Sequence, residues 1–514
     1  MERDLAAWAA EPLDVLVVGG GIVGAASARE AARRGLRVGL VEAADFGGGT
    51  TAATTRLAHG GLRYLEQFDL AQVREGLRER QWLLGAAPHL VEPLPFLFPL
   101  AARRRWLGTK LRLGLWAYDR LAPPGLPGHA FVSAQEARAR EPALRADVVA
   151  RAAAFHDAQV LHPERLVLEF VRDAVIAGAR VANHAPLEGL GRTSQGWEAR
   201  VHDALDDSSH ALTPRVVLNC AGPWVGRVAG LAGVERGLTR TTRGSHVAFP
   251  GFLREALILR ATDGRTFFAV PWNEVTLVGT TDLDDDSDPG QAEASAEEVQ
   301  YLLREAGAFM ELPRTPCYTT CGQRAMVRRD GSPGSVPRGH EVLDHGRDGL
   351  PRFLSVVGGK LTTARVAARS AIDAVCAALG ETRPPAAMPP LPGAQGFAAA
   401  RARLDALPWP ASLVRSAKLL GSAAPEALEG RVLCARHATA GMLAWSVEHE
   451  MCVGLADFLF RRSLAAHAPD VGAHCAPAML DAMAGRMGWD AAAREAQWKA
   501  YEAEAARRRG GLPV

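Results

Sequence analysis

The first forty residues alternate between apolar runs and glycines in a way that predicts a strand, a helix and a second strand. An apolar, β-branched run at 14–18 predicts a strand, helical periodicity at 22–34 predicts a helix, and 37–41 predicts the next strand. Further strand patterns, each followed by a glycine-containing turn, lie at 215–220, 275–278 and 353–357. Strand patterns this far apart indicate a sheet that is assembled from distant pieces of chain.

The pattern changes near residue 383, where prolines precede a long helical stretch. Pro384 and Pro385, followed by the Pro- and Gly-rich cluster at 389–393, predict a linker. The remainder is rich in Ala, Leu and Arg at helical spacing. We therefore expect a separate helical domain at the C-terminal end.

The composition limits the classes of protein to which the chain can belong. With 514 residues, 48% of them hydrophobic, the chain is long enough for two or three domains. Lys and Arg total 59 against 57 Asp and Glu, so no overall charge attracts nucleic acid. Seven scattered cysteines do not suggest a disulfide framework, and they indicate a reducing compartment. Cys317 and Cys321 lack a second pair at ligand spacing, so no metal is expected.

The N-terminus and the apolar stretches favour a cytoplasmic protein. Met1 to Asp4 include acids where an export signal would be basic, and no apolar stretch is long enough to span a bilayer. Any contact with a membrane would therefore be peripheral.

The segment that joins the first two strands carries a dinucleotide-binding pattern. Gly19, Gly21 and Gly24 occupy the first, third and sixth positions of a turn that follows a strand and opens a helix. Such glycines allow the tight turn, the approach of backbone to a pyrophosphate and close helix–strand packing. Glu42 ends the second strand 23 positions after Gly19, where a carboxylate accepts hydrogen bonds from ribose. FAD and NAD satisfy this pattern equally.

Longer motifs distinguish the two cofactors. The chain contains HGGLRYLE at 59–66, AGPWV at 221–225, GSH at 244–246, GTTD at 279–282 and GGKLTT at 358–363. In order and spacing these motifs resemble the FAD-dependent glycerol-3-phosphate dehydrogenases, which are membrane-associated and reduce quinone. The chain departs from the family pattern at Val23, Ala325 and Ala364. These departures bear on substrate geometry more than on the cofactor.

The resemblance implies an α/β fold with three parts. An FAD-binding, Rossmann-like, doubly wound domain would comprise residues 1–85, 155–235 and 345–385. A β-sheet substrate lobe would comprise 86–154 and 236–344, and the C-terminal α-helical domain 386–514. The implied reaction is oxidation of sn-glycerol 3-phosphate to dihydroxyacetone phosphate by hydride transfer to flavin N5, with a membrane quinone as acceptor and a homodimer as a possible assembly.

The resemblance also assigns residues to three roles. Catalytic roles fall to His59, His246 and Lys360. Substrate binding falls to Arg63, Tyr64, His246, Arg324, Arg338 and Lys360. Cofactor binding falls to Gly19, Gly21, Gly24, Glu42, Thr50, Thr51, Gly60, Gly61, Ala221, Gly222, Gly359, Lys360, Leu361 and Thr362.

These residue types suit oxidation of a phosphorylated alcohol, although each has a structural alternative. Arginine offers a rigid fork of donors to a phosphate, but Arg63 could be a surface charge and Arg338 an incidental loop residue. Lys360 could reach the flavin's pyrimidine edge or simply begin a helix. An imidazole can accept the hydroxyl proton, and the sequence does not separate His59 from His246 as the base.

A locally basic stretch from Arg103 to Arg120 suggests a membrane-facing helix. Arg103, Arg104 and Arg105 precede Trp106. The apolar face of the predicted helix holds Leu107, Leu111, Leu115 and Tyr118, with Arg105, Arg112 and Arg120 broadly opposite. This arrangement suits shallow insertion beneath anionic headgroups at the inner face of the cell membrane. The alternative is that the apolar face packs on the protein's own core.

Three other functions share part of this evidence. An oxidase that uses oxygen would differ only in its electron acceptor. An FAD amino-acid oxidase-like enzyme would share the glycine pattern but bind an amine and a carboxylate, which the candidate phosphate-binding cations disfavour. A non-catalytic flavin-binding sensor would bind the cofactor without turnover.

Overall fold

The computed structural model describes residues 1–61, 69–100, 105–235, 237–328 and 339–512, and only the backbone of residues 105–107. The strands are β1 (Leu13–Val18), β2 (Val38–Val41), β3 (Leu57–Ala58), β4 (Val91–Leu100), β5 (Ala130–Ser133), β6 (Arg151–Val160), β7 (Arg180–Ala182), β8 (Leu187–Arg192), β9 (Trp197–Asp203), β10 (Ser208–Leu212), β11 (Pro214–Asn219), β12 (Thr239–Pro250), β13 (Ala256–Arg260), β14 (Thr266–Trp272), β15 (Val275–Gly279), β16 (Leu283–Asp284), β17 (Tyr318–Val327), β18 (His340–Asp344), β19 (Phe353–Gly358), β20 (Val432–Cys434) and β21 (Ala438–Thr439).

The α-helices of the described residues are α1 (Leu5–Ala9), α2 (Ile22–Arg33), α3 (Leu70–Ala86), α4 (Arg105–Leu121), α5 (Ala134–Arg140), α6 (Pro163–Ile176), α7 (Val225–Leu231), α8 (Ala296–Gly307), α9 (Ala364–Leu379), α10 (Phe397–Asp405), α11 (Ala411–Lys418), α12 (Ala424–Ala427), α13 (Ala440–Glu450), α14 (Ala476–Met487) and α15 (Ala491–Arg507). The strands and the helix predicted within the first forty residues are confirmed as β1, α2 and β2.

One sheet contains the first two strands of the chain. Its strand order is β18-β19-β11-β1-β2-β7, and β1 pairs in parallel with both β2 and β11. Every residue of β1 is buried, as expected for a strand covered on both faces. Helices α2, α6 and α9 cover one face, and the three-stranded sheet β8–β10 packs against the other. The expected doubly wound α/β fold, assembled from distant segments, is confirmed.

A second, larger sheet stands beside the first. Its order is β16-β12-β15-β14-β13-β4-β6-β3, with β17 also paired to β12 and β5 to β6. The antiparallel register of β12 and β17 sets Thr242 opposite Arg324 and His246 opposite Thr320. Side chains from neighbouring strands of this sheet therefore meet near one another.

The C-terminal helices pack onto this second sheet. A buried cluster joins Trp272 and Tyr318 of the sheet to Phe458, Met479 and Tyr501. Ion pairs also join the C-terminal region to the segment after β2: the guanidinium of Arg462, which is 1% exposed, pairs with Asp45 at 2.6 Å.

Two cysteines of this region differ from the sequence expectation. Cys434 ends β20, Cys475 immediately precedes α14, and the two form a disulfide across a sequence separation of 41 residues. The spacing of the cysteines did not predict this disulfide, because only the packing of the C-terminal helices brings the two residues together. Five other cysteines are free.

Helix α4 corrects the expected membrane-facing surface. Leu115 and Tyr118, placed by the sequence on a lipid-facing side, are 0% and 2% exposed and pack on the protein's own core. The outward side instead shows Leu113 and Trp116, which are 68% and 52% exposed. Arg103 and Arg104 lie outside the described residues, as does the side chain of Arg105. Among the described residues, no helix has both the length and the apolar character needed to cross a membrane.

Candidate active site

A large cavity separates the two sheets. It has a volume of about 1510 Å³ and begins where β1 and β2 end, at Gly19 and Glu42. Its opposite wall comes from the second sheet and includes Ile258, Phe268 and Arg324. Ligands of parallel α/β sheets bind outside the carboxyl ends of the strands, which is where this cavity lies.

The first and sixth residues of the glycine pattern are required by close packing. Gly19 has φ +108°, and a Cβ there would lie 2.7 Å from the carbonyl oxygen of Cys220. A Cβ on Gly24 would collide with the carbonyl oxygen of Gly19. The β1–α2 turn therefore tolerates no side chain at either position.

Gly21 leaves the start of α2 open to the cavity. The nearest atom to a Cβ on Gly21 would be the hydroxyl oxygen of Thr51, at 3.6 Å. Gly21 is also the N-cap of α2, and it provides no side-chain cap. The hydroxyl of Thr51 accepts a hydrogen bond from the backbone N–H of Ile22 at 3.2 Å. The N-terminus of α2 can thus present backbone N–H groups to a pyrophosphate.

Glu42 lies at the edge of the same opening. Its carboxylate accepts hydrogen bonds from the backbone N–H of Gly20 at 2.5 Å and of Ala44 at 2.9 Å. Burial raises the pKa of Glu42, while these two N–H donors act in the opposite direction. The position suits a carboxylate that accepts from ribose hydroxyls. The turn, the open helix end, the acid and the size of the cavity together fit a dinucleotide.

Arg324 brings a positive charge to the opposite wall. From β17 its guanidinium donates to the carboxylate of Asp282 at 3.1 Å and to the hydroxyl of Thr280 at 2.9 Å. A Cβ on Gly244 of β12 would lie 2.6 Å from Cζ of Arg324, so the glycine of the GSH motif makes room for this side chain. The GTTD and GSH motifs thus meet around one arginine.

His246 lies directly behind the cavity wall rather than on it. It is 1% exposed, and its Nε2 is 3.0 Å from the hydroxyl oxygen of Thr55. Its Nδ1 is 3.5 Å from the hydroxyl oxygen of Thr320, and both threonines line the cavity. Burial, followed by the charges of Arg324 and Arg56, lowers the pKa of His246 to about 3. The imidazole is therefore neutral at physiological pH.

His59 lines the cavity itself. Its backbone N–H donates to the hydroxyl of Thr362 at 3.3 Å, which ties the HGGLRYLE and GGKLTT motifs together. The imidazole lies edge-on to Phe268, with ring centroids 6.1 Å apart. The structure thus separates the two histidines by their access to the cavity.

Gly60, which follows His59, is hydrogen-bonded to the buried side chain of Tyr118. The N–H of Gly60 donates to the hydroxyl of Tyr118 at 2.9 Å, and that hydroxyl donates to Asp157 at 2.8 Å. Burial and the charge of Asp157 hold the pKa of Tyr118 well above its ordinary value. A Cβ on Gly60 would lie 2.6 Å from Leu77, so the segment fits only as glycine.

Lys360 approaches the cavity from the end of β19. The preceding Gly358 and Gly359 have φ +78° and +101°, which turns the chain sharply before α9. The Lys360 ammonium donates to the side-chain oxygen of Gln72 at 2.8 Å. Beside it, a Cβ on Gly359 would meet Val23, one of the departures from the family pattern, at 3.3 Å.

Most of the remaining candidates also line the cavity. They are Thr50, Thr51, Gly60, Gly61, Ala221, Gly222, Gly359, Leu361 and Thr362. Arg63, Tyr64 and Arg338 lie outside the described residues. The structure therefore leaves their assignment as a prediction.

Sequence reasoning missed several polar residues of the same cavity. Gln72, Asp157 and Arg260 line it, and Tyr118 supports it from beneath. None stands in a motif, and Tyr118 was assigned to a membrane-facing surface. Only the pairing of β4, β6 and β13 and the packing of α3 and α4 bring them here.

Comparisons with known proteins agree with this geometry. The FAD dependent oxidoreductase family matches residues 14–369, and the C-terminal domain of alpha-glycerophosphate oxidase matches residues 415–494. The glycerol-3-phosphate dehydrogenase of Synechocystis sp. is 37% identical over 411 residues, which cover 75% of this chain and 74% of that protein. The D-erythritol 1-phosphate dehydrogenase of Brucella abortus is 34% identical over 367 residues, which cover 69% of this chain and 72% of that protein.

A solved structure extends the similarity to nearly the whole chain. The glycerol-3-phosphate dehydrogenase of Bacillus halodurans, complexed with FAD, matches with a TM-score of 0.77 at 25% identity and covers 99% of this chain and 98% of that one. The cavity that fits a dinucleotide is thus an FAD site. The chain belongs to the FAD-dependent oxidoreductases and, among them, to the glycerol-3-phosphate dehydrogenase family.

Proposed function

We propose that this protein oxidises the secondary hydroxyl of sn-glycerol 3-phosphate to give dihydroxyacetone phosphate, and that the electrons pass to a membrane quinone. The observation that carries the proposal is the position of Arg324, which lines the same cavity as the β1–α2 turn and Glu42. A phosphate dianion is the kind of group that such a fork of donors binds.

Bound FAD supplies the hydride acceptor. Around it, the chain has to hold the phosphate, orient the carbinol carbon and take up the hydroxyl proton. Arg324 is already fixed by Asp282 and Thr280, so little side-chain entropy is lost when it binds phosphate. The relatives named as glycerol-3-phosphate dehydrogenases favour this activity over an amino-acid oxidase-like one, because an arginine fork binds carboxylates as well as phosphates.

We assign proton uptake to His59 and a positioning role to His246. His59 lines the cavity, and an imidazole can accept a proton near neutral pH. His246 is buried, and because burial lowers the pKa of its imidazole, it is poorly suited to take up a proton. Its contacts with Thr55 and Thr320 instead fix two hydroxyl groups of the cavity wall.

Contact with a membrane would bring the protein to the quinone that accepts its electrons. The outward side of α4 shows Leu113 and Trp116 beside the exposed Arg112 and Arg120. Exposed apolar and aromatic side chains next to cations suit the interface of an anionic bilayer. Because α4 also contributes Lys110 and Leu111 to the cavity, a membrane bound there would lie close to the flavin.

Anaerobic addition of substrate to the purified protein tests the reaction directly. We expect flavin absorption bands that bleach with sn-glycerol 3-phosphate and return when a soluble quinone analogue is added. D-Erythritol 1-phosphate is the informative second substrate, because the Brucella abortus relative carries that name and the two differ in the polyol but share a phosphate. Absence of flavin, or flavin that sn-glycerol 3-phosphate does not bleach, would contradict the proposal, and bleaching by D-erythritol 1-phosphate alone would reassign the substrate. Peroxide formed in air at the full turnover rate would reassign the acceptor to oxygen.

A further inference from the structure

A cluster of cysteines and histidines lies in the C-terminal helical region, among residues that have no part in the oxidation. Ligand atoms of Cys434, His474 and Cys475 all lie within 4.8 Å of one another. Sγ of Cys434 is 3.5 Å from Nε2 of His474. The cluster joins the β20–β21 hairpin to the start of α14, two segments that are far apart in sequence.

His474 is oriented as metal-binding histidines are. Its Nδ1 is 2.6 Å from a carboxylate oxygen of Asp470, which leaves Nε2 directed at Cys434. Asp470 also accepts the backbone N–H of His474 at 2.8 Å, so the acid holds both the ring and its backbone. A carboxylate on the far nitrogen of an imidazole is the usual outer partner of a metal ligand.

A fourth side chain beside the cluster has unmet hydrogen-bonding capacity. His437 is 3% exposed, and neither of its ring nitrogens has a hydrogen-bond partner. The nearest acid is Glu274, 3.7 Å from Nε2. Buried polar atoms without partners are rare and call for an explanation. The ring centroids of His437 and His474 are 5.4 Å apart, and His437 also borders a cavity of about 260 Å³.

We propose that Cys434, His437, His474 and Cys475 form a binding site for a zinc-class divalent cation when the Cys434–Cys475 disulfide is reduced. Two thiolates and two imidazoles make a ligand set that selects borderline-soft ions over Mg²⁺ or Ca²⁺. Reduction by a dithiol transfers two electrons and two protons to the disulfide, and the dithiol becomes a disulfide in turn. The cation then displaces the two thiol protons.

The surroundings favour the metal-bound form. Cys475 is the N-cap of α14, where the helix dipole stabilises a thiolate. Both sulfur atoms belong to buried residues, so a bound ion would be shielded on that side, while His474 is exposed and gives an entry path. The site would join the hairpin to α14 in the reduced state, as the disulfide does in the oxidised state.

Cobalt binding to the full-length flavoprotein tests the site without reference to its activity. The protein is reduced anaerobically with a phosphine, desalted and titrated with Co²⁺. We expect one equivalent per chain, with thiolate-to-cobalt charge transfer and visible bands beyond those of the flavin, and displacement by Zn²⁺ but not by Mg²⁺.

Matched variants assign the ligands. Cys434→Ser and His474→Gln should each weaken binding at least about a hundredfold, and His437→Gln at least about tenfold. Cys317→Ser, at a free cysteine outside the cluster, should bind as the parent does. The proposal is overturned if the reduced protein binds no stoichiometric Co²⁺, if Cys434→Ser keeps the same spectrum, or if the disulfide resists reduction while the protein stays folded. Unchanged affinity in His437→Gln would overturn the part assigned to that residue.

Discussion

Adding one methyl group at Gly244 should displace Arg324 without removing it. A Cβ at this position would lie 2.6 Å from Cζ of Arg324 and 2.5 Å from the hydroxyl oxygen of Thr280. Both distances are too short, so an atom has to move. The guanidinium is the end of a flexible side chain and moves at lower cost than the paired strands do. Gly244 does not have a positive φ, so alanine is compatible with the backbone.

The size of the effect follows from the contacts that Arg324 would lose. Displacement moves the guanidinium away from Thr280 and Asp282, and because the Arg324 side chain is 22% exposed, water can replace those two partners. A hydrogen bond to a charged group contributes about 1.5–3 kcal/mol. Loss of one such bond to the substrate phosphate corresponds to about 1.5–3 kcal/mol, or about 10- to 150-fold in kcat/KM. The stability of the fold should change by about 1 kcal/mol or less.

Four measurements separate binding of phosphate from folding. We expect Gly244→Ala to lower kcat/KM for sn-glycerol 3-phosphate and to raise the inhibition constant of inorganic phosphate, with FAD content and Tm nearly unchanged. Gly191→Ala is the matched control, because Gly191 also lies in a strand and a Cβ there would meet nothing within 4 Å. The reasoning is refuted if Gly244→Ala stays within about threefold of the parent in kcat/KM, or if it loses FAD and stability in proportion to activity.

Three further predictions concern the cofactor, pH and the membrane. Glu42→Ala should lower the FAD content of the purified protein, measured as the ratio of flavin to protein absorbance, and full retention of FAD would contradict the assigned role. The folded-state pKa of His246 is about 3 against 6.5 when unfolded, so its contribution to stability is complete above pH 6.5 and is lost as pH falls from there towards 3. Between pH 7 and pH 5, the parent should lose about 2 kcal/mol more unfolding free energy than His246→Asn, by urea titration of the two proteins; equal losses would argue against the shift. Leu113→Glu with Trp116→Glu should abolish sedimentation with anionic vesicles, whereas Leu205→Glu, at another exposed leucine, should not; vesicle binding that survives the double change would remove α4 from the interface.

The sequence by itself determined the FAD-binding segment of this protein, from β1 to Glu42. The glycine spacing, the acid at position 42 and the strand patterns of β1 and β2 predicted the β1–α2 turn, because all of these features lie within one stretch of about thirty residues. The HGGLRYLE and GGKLTT strings then distinguished FAD from NAD through the family they resemble. Local backbone geometry of this kind can be predicted from neighbouring residues in the sequence.

Only the tertiary structure decided which side chains reach the cavity. His59 and His246 are equivalent as sequence, yet one lines the cavity and the other is enclosed behind Thr55 and Thr320. The same holds for Tyr118. It lies on the apolar face of α4, and the sequence alone does not show whether lipid or the protein's own core covers that face. Periodicity shows that a face is apolar, but which surface covers it depends on strand pairing and domain packing between residues far apart in the chain.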